Sequence, residues 1–322
     1  MNDNAVNSQG PCSDKKNGYL YIHYHDSDAI KIIMTFNARR IAKSKRPYPV
    51  LVESFFEKHK LEHTKTRIIR GEEMLSVERL INGKLSNEQT PITLHDQYQQ
   101  GKTCWPMSDE KRDRLVKKLS HSDKSRDSMQ RNINIYLAFE QTQIIPYKLS
   151  DLRENDKLYI LGHGKAGIPK LGSGLGTSEN LHIRDIVEKL KNSGLSKAIR
   201  DIRIDGCESA DGSTMSTFKN YTAGGLLYKL RNYVKRAKPA AMIFSEELSQ
   251  AGYQDIHVSG YHGYGLTYYS LNHELHQERV LGSVYDESLI RIRERKRASL
   301  VKQVYVNGEK INSIRLNCFG RL

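Results

Sequence analysis

Cysteine is scarce in this chain. There are four in 322 residues: Cys12, Cys104, Cys207 and Cys318, with no Cys-x-x-Cys pair among them. Scattered thiols of this kind argue against a disulfide framework and against a cysteine-rich zinc site, and they suit a reducing compartment. Acidic residues are also outnumbered: 37 Asp and Glu face 51 Lys and Arg, a net charge of +14. Apolar runs of about 18 residues are missing, so no transmembrane helix is expected. The opening "MNDNAVNSQGPCSDKKNG" lacks the apolar centre of a Sec-type signal peptide, and a cytoplasmic location is expected. No internal repeat is visible.

What remains is an ordinary globular composition, 38% hydrophobic and 27% charged, sufficient for a packed core. The basic excess favours polyanionic partners: nucleic acid, anionic membrane or a phosphorylated small molecule. The excess is spread along the chain. Its densest clusters, Lys111 to Lys118, Lys229 to Lys238 and Arg291 to Arg297, read first as solvated helix faces.

Three regions are expected. Residues 1–17 are rich in Asn, Ser and Asp and read as disordered. Residues 18–129 read as an additional N-terminal α+β region of unknown role. In it "YLYIHYH" and "AIKIIMTF" suggest strands, while "YPVLVESFFEKH" and "EEMLSVERLIN" have apolar residues at helical spacing. Residues 130–322 form a more regular unit. "NINIYLAF", "KLYIL", "AIRDIRID", "AAMIFS" and "DIHVSGYHGYG" read as strands. Between them lie a helix capped by Ser178 and running to Asn192, with Gly194 at its end, and a second helix in "TAGGLLYKLRNYVKRA". This alternation predicts an α/β layer fold with a mostly parallel sheet flanked by helices. A basic helix from Ser283 and a hairpin turning at Asn307-Gly308 would close the chain.

Two strand ends carry chemistry. "KLYIL" runs into Gly162-His163-Gly164, and "AIRDIRID" into Gly206-Cys207. In open parallel sheets, sites collect at the carboxyl ends of strands. If these two strands are neighbours, an imidazole and a thiol share one crevice. An imidazolium favours the thiolate, which can attack a carbonyl while the imidazole protonates the leaving amine. The backbone N–H groups of Gly164 and Cys207 would then hold the oxyanion. Asp205, two residues before Cys207, points to the same side by strand alternation. Glu208 and Asp211 would make the mouth acidic.

Strand-His-Gly, helix, strand-Gly-Cys, in that order, resembles the caspase-like (clan CD) cysteine peptidases. "LYILGHGK" with "IRIDGCESA" is most similar to the autoprocessing protease domains of large clostridial and RTX-type bacterial toxins, with likenesses to the CHAT and clostripain groups. The resemblance covers roughly residues 130–275. It implies a caspase-like fold and a cysteine endopeptidase with Cys207 as nucleophile and His163 as its partner, needing neither metal nor cofactor for the chemistry. In metacaspase-like and clostripain-like enzymes an acidic residue at the place of Asp205 selects Lys or Arg before the scissile bond. The toxin domains have an apolar residue there and prefer Leu. Asp205 therefore either lines a specificity pocket or bonds the loop backbone. The toxin domains are activated by inositol hexakisphosphate held by Lys and Arg under a terminal flap. The basic residues Arg231, Lys235, Arg236 and Lys238, the Arg291 to Arg297 cluster and Lys310 are compatible with such a site.

The resemblance further implies a protein or peptide substrate, self-cleavage among them, and an effector delivered into a host cell by a signal-peptide-independent route. Against the protease stands a second class: a basic adaptor or nucleic-acid-binding protein on a catalytically silent scaffold. Other signals are weaker. His273 and His276 have the wrong spacing for a zinc-protease helix. Cys104 followed by His262 has papain-like order without the strand–turn–helix context.

Overall fold

The computed structural model describes residues 17–69, 134–173, 180–218, 237–265, 277–283 and 291–311, apart from 136, 147 and 216. Its centre is an eight-stranded mixed sheet. The strands in chain order are β1 (Gly18–Tyr21), β2 (Val50–Val52), β3 (Ile144–Pro146), β4 (Lys157–Leu161), β5 (His163–Lys165), β6 (Ile168–Gly172), β7 (Leu181–His182), β8 (Asp201–Asp205), β9 (His257–Tyr261), β10 (Tyr264–Gly265), β11 (Glu278–Ser283), β12 (Arg291–Arg297), β13 (Lys302–Val306) and β14 (Glu309–Ile311). The helices are α1 (Ser27–Ile41), α2 (Phe55–Ile69), α3 (Ile183–Asn192) and α4 (Ala240–Gln250). The main sheet runs β14-β13-β9-β8-β4-β1-β2-β3. It is parallel from β3 to β9, with β13 and β14 added antiparallel at one edge. Two small antiparallel sheets, β5-β6-β7 and β10-β11-β12, flank it. The α/β class and the mostly parallel sheet are as the sequence predicts. Among the described residues no helix is long and apolar enough to cross a membrane.

Both faces of the sheet are buried, which is why its strands read as apolar runs. Alternation divides them cleanly. Leu20, Ile22, Tyr159 and Leu161 face α1, packing with Ile30, Ile33, Met34, Ala38 and Ile41. Tyr21, Leu158, Ile160, Ile202 and Ile204 face α3 and α4, packing with Ile183, Ile186, Val187, Leu190, Phe244 and Leu248. A strand side chain two positions on returns to the same face. Residues 163 and 207 therefore continue the α1 face begun by Leu161 and Asp205.

Residues 18–69 do not stand apart from this core. β1 pairs parallel with both β2 and β4, so the break expected at residue 129 does not separate two sheets. The physical cause is that β4 needs a partner on its second edge, and β1 supplies it. Several elements differ from expectation. "AIKIIMTF" lies within helix α1, whose apolar residues recur at three- and four-residue steps; Asp26 caps it by accepting the Ala29 N–H at 2.9 Å. "AAMIFS" is the start of α4, which follows Pro239 and buries Ala240, Ala241, Phe244 and Leu248. Short apolar runs do not distinguish strand from helix, and packing decided for helix in both cases. Residues 134–135 and 137–141 are likewise helical. "YPVLVESFFEKH" divides into β2 and the start of α2. Arg291 to Arg297 form β12 and not a helix, paired to β11. Helix α3 is shorter than expected, capped by His182; Ser178 lies outside the described residues, as do "EEMLSVERLIN" and most of "TAGGLLYKLRNYVKRA". The hairpin β13–β14 turns at Asn307 and Gly308, both at positive φ (50° and 79°), as an Asn-Gly turn requires.

Asn37 locks α1 to the sheet. It is fully buried, donates to the Tyr48 carbonyl at 2.9 Å and Thr142 Oγ1 at 2.8 Å, and accepts the Tyr48 N–H at 2.9 Å. Asn37→Ala leaves two backbone groups unpaired and is expected to cost roughly 3 kcal/mol, read as a lowered urea midpoint with unchanged slope.

Candidate active site

The β4–β8 register sets the site. Lys157 lies opposite Asp201 and Leu161 opposite Asp205. Each pair is 44 residues apart, the same separation as His163 and Cys207. The two strand ends leave the sheet side by side, both toward α1. His163 and Cys207 line one cavity of about 340 Å³, with Asp28, Lys31, Ile32, Thr35, Phe36 and Arg39 from α1, Gly162 and Asp205 from the strand ends, and Gly265, Gln277 and Arg279 from the flanking hairpin. Of the expected site residues His163, Asp205 and Cys207 line this cavity, and Gly164 packs directly against the backbone of Cys207.

Glycine at 164 and 206 is a consequence of crowding. A Cβ on Gly164 would sit 2.9 Å from the Cys207 carbonyl oxygen. One on Gly206 would sit 2.8 Å from Leu171 Cδ2 and 3.2 Å from the Gly162 carbonyl oxygen. The two Gly-containing turns are in contact, which brings the backbone of Gly164 beside that of Cys207.

The turn after Cys207 is rigid. Glu208 has φ +51°, a left-handed conformation that non-glycine residues adopt at a cost. Glu208 N–H donates to the Gly263 carbonyl at 2.8 Å and Ala210 N–H to the Tyr261 carbonyl at 3.1 Å. Ser209 Oγ donates to the Ile204 carbonyl and accepts the Tyr261 N–H, both at 2.9 Å. Glu208 and Asp211 are buried, so they do not form an acidic mouth. Glu208 instead accepts the Ala166 N–H at 3.2 Å, tying the turn after Cys207 to the β5–β6 hairpin. Burial, with Asp211 nearby, raises its carboxyl above the usual range. Asp211 accepts from His262 Nδ1 at 2.5 Å and from the Gly263 N–H at 2.9 Å. His262 is thus a buried structural histidine. Cys104, His273 and His276 lie outside the described residues.

Asp28 is the residue that sequence reasoning missed. Its Oδ2 is 2.8 Å from His163 Nε2, across 135 residues of chain. No local motif announces it; it lies in the first turn of α1, immediately before the segment read as a strand. The contact places the imidazole proton on Nε2 and leaves Nδ1 as the basic nitrogen.

Asp205 faces the cavity, as alternation predicts, but its carboxylate is already engaged. Oδ1 accepts from Arg279 Nη2 and, at 2.6 Å, from Gln277 Nε2. Cys207 is half-buried and is a free thiol. Burial pushes it above the ordinary thiol value, opposed by Arg279 and by a hydrogen bond from the Gly265 N–H, and reinforced by Asp205 and Glu208.

No family model, curated protein or solved structure matches this chain. The functional reading therefore rests on the site itself. Among the described residues no group of three metal-ligating side chains converges.

Two outcomes follow from this geometry. Because the thiol is raised, its alkylation by iodoacetamide is expected to accelerate with pH through a midpoint above the free-thiol value of about 8.5, measured by mass spectrometry of the Cys207 peptide. Gly164→Ala forces the two turns apart. It is expected to destabilise the chain by about 1–3 kcal/mol in urea unfolding and to change the Cys207 alkylation rate.

Proposed function

We propose that this chain is a cysteine endopeptidase of caspase-like type. The observation that carries the proposal is the placement of His163 and Cys207 at the ends of adjacent parallel strands, on one cavity, with Asp28 fixing the imidazole. The chemistry is self-contained. Nδ1 of His163 takes the Sγ proton as sulfur attacks the scissile carbonyl carbon, forming a C–S bond. The negative charge on oxygen is met by the N–H groups of Cys207 and Gly164. The C–N bond then breaks, and the imidazolium returns its proton to the departing amine. Water, deprotonated by the same imidazole, hydrolyses the thioester and restores the thiol. Asp28 stabilises the imidazolium throughout.

The residue before the scissile bond was expected to be Lys or Arg, selected by Asp205, or Leu. The pairing of Asp205 with Arg279 and Gln277 favours Leu. A substrate side chain entering the cavity meets Ile32 and Phe36 together with Lys31, Arg39 and Arg279, and both carboxylates present are already bonded. The substrate is a protein or peptide, the chain's own exposed segments included. Delivery into a host cell and self-processing are the extension of the same resemblance.

A specific observation also favours a polyanion partner. Lys43 is held below the usual lysine range by burial and by Lys45, Arg39, Arg297 and Arg40 around it. These five cations join the end of α1 to the end of β12. Within a protease they would take an activating inositol hexakisphosphate; in the second reading they serve a silent adaptor that binds nucleic acid. Of the Arg291 to Arg297 cluster, Arg297 belongs to this region, whereas Arg295 is paired with Glu278 and Lys238 with Glu246 at 2.7 Å.

Chloromethyl ketones ending in Leu and in Lys, each with and without inositol hexakisphosphate, separate these readings. Labelling of Cys207, faster with the Leu probe, supports the protease; no labelling, with tight and salt-sensitive nucleic-acid binding, supports the adaptor. Peptide cleavage is expected to fall roughly a thousandfold or more in Cys207→Ala and about a hundredfold in Asp28→Asn. Cleavage that survives Cys207→Ala would sink the assignment.

A further inference from the structure

Among the described residues Arg279 is the largest of the fully buried side chains, 1% exposed. It belongs to β11, outside the main sheet, yet its guanidinium ends at the nucleophile. Nη1 donates to the Gly206 carbonyl at 2.9 Å and Nη2 to Asp205 Oδ1. The guanidinium carbon lies 4.7 Å from the centre of the Tyr261 ring. Nε is buried with no hydrogen-bond partner among the described residues. Burying a cation costs several kcal/mol, and an apolar side chain of similar volume often serves stability as well or better. Folding alone therefore gives a poor account of an arginine here.

The neighbouring strand adds a second contact. Gly265 of β10 donates its N–H to the Cys207 sulfur, and its own lack of a side chain makes room for Arg279: a Cβ there would sit 3.2 Å from Nη1. Two strands of one hairpin thus converge on residues 206 and 207, one with a cation and one with a backbone donor. The remaining groups around Cys207 differ in sign. Asp205 and Glu208, on its own segment, oppose the thiolate. Tyr264 of β10 lies beside Glu208 and Cys207. His163 of β5, with Asp28, Lys31 and Arg39 of α1, lines the same cavity, and His163 is committed to Asp28.

We propose that Arg279 is a positioning residue for the nucleophile: its buried guanidinium stabilises the Cys207 thiolate, a task the sequence assigns to His163. The imidazole is left to move protons, and the hairpin β10–β11 supplies the electrostatics. The inference rests on Cys207 as the nucleophile of the proposed function. It accords with Arg279 being the largest influence working against burial on this thiol.

The test is the pH dependence of Cys207 alkylation by iodoacetamide in the full chain, from pH 6 to 10, with the labelled peptide identified by mass spectrometry. Arg279→Gln removes the cation. Asp205→Asn with Arg279→Gln removes the ion pair as a whole and avoids a buried lone carboxylate. Arg279→Lys keeps the charge without the fork. The alkylation midpoint is expected to rise by about one pH unit in Arg279→Gln, a tenfold loss of rate below the midpoint. A smaller rise is expected in the double variant, and the least in Arg279→Lys. A midpoint that stays at the wild-type value in whichever charge-removing variant retains the wild-type melting profile overturns the proposal. If neither folds, Asp205→Asn with Arg279→Met, an apolar side chain of similar length, takes their place: a raised midpoint supports the proposal and an unchanged one overturns it. The readout needs no substrate. A chain whose thiol responds to Arg279 yet cuts no peptide would sink the protease reading alone; cleavage with an unresponsive midpoint would sink this inference alone.

Discussion

The parallel pairing of β4 with β8 is the constraint on which the site depends. Hydrogen bonding along these two strands sets a constant offset of 44 residues, and that offset carries His163 and Cys207 out of the sheet together. Alternation then decides the face. Because Tyr159, Leu161 and Asp205 point toward α1, so do the next residues in phase, and the imidazole and thiol meet the helix that holds Asp28. A one-residue slip of either strand would move its group to the α3 and α4 side, into an apolar core, and separate the pair.

Around this register the structure arranges opposing charges in a small volume. Asp28 sits on His163, and Arg279 sits on Asp205. Each carboxylate in the cavity lining is thus already matched by a partner. Behind the cavity a second set of buried acids, Glu208 and Asp211, is spent on backbone N–H groups and on His262. Those contacts hold the left-handed turn at Glu208. The division is between a front that faces the cavity and a back that braces the turn, and the two share residues 207 and 208 as neighbours in sequence.

The short strands and the helices were unevenly legible. "KLYIL" and "AIRDIRID" are apolar, β-branched and bounded by glycine, and they are strands. "AIKIIMTF" and "AAMIFS" have the same look over eight and six residues, yet the cap at Asp26 and Pro239 before Ala240 begin helices there. Over so few residues, runs fully buried in a core do not show their period. Residues 18–69 looked like a separate region because composition changes after them; edge pairing with β4, a contact between distant segments, is invisible to composition.

The sequence by itself determined the pair at the strand ends. Glycine, histidine and cysteine placed directly after two apolar strands put His163 and Cys207 at the carboxyl ends of their strands, since the two-residue period follows from local order alone; the β4–β8 pairing then set them side by side. Only the tertiary structure decided their company. Asp28 is 135 residues from His163, and Arg279 is 74 from Asp205. Neither lies in a motif, and each is brought in by an element, α1 or the β10–β11 hairpin, whose position depends on packing against the completed sheet. Charge partners of this kind are chosen by proximity in space, and chain distance carries no record of it.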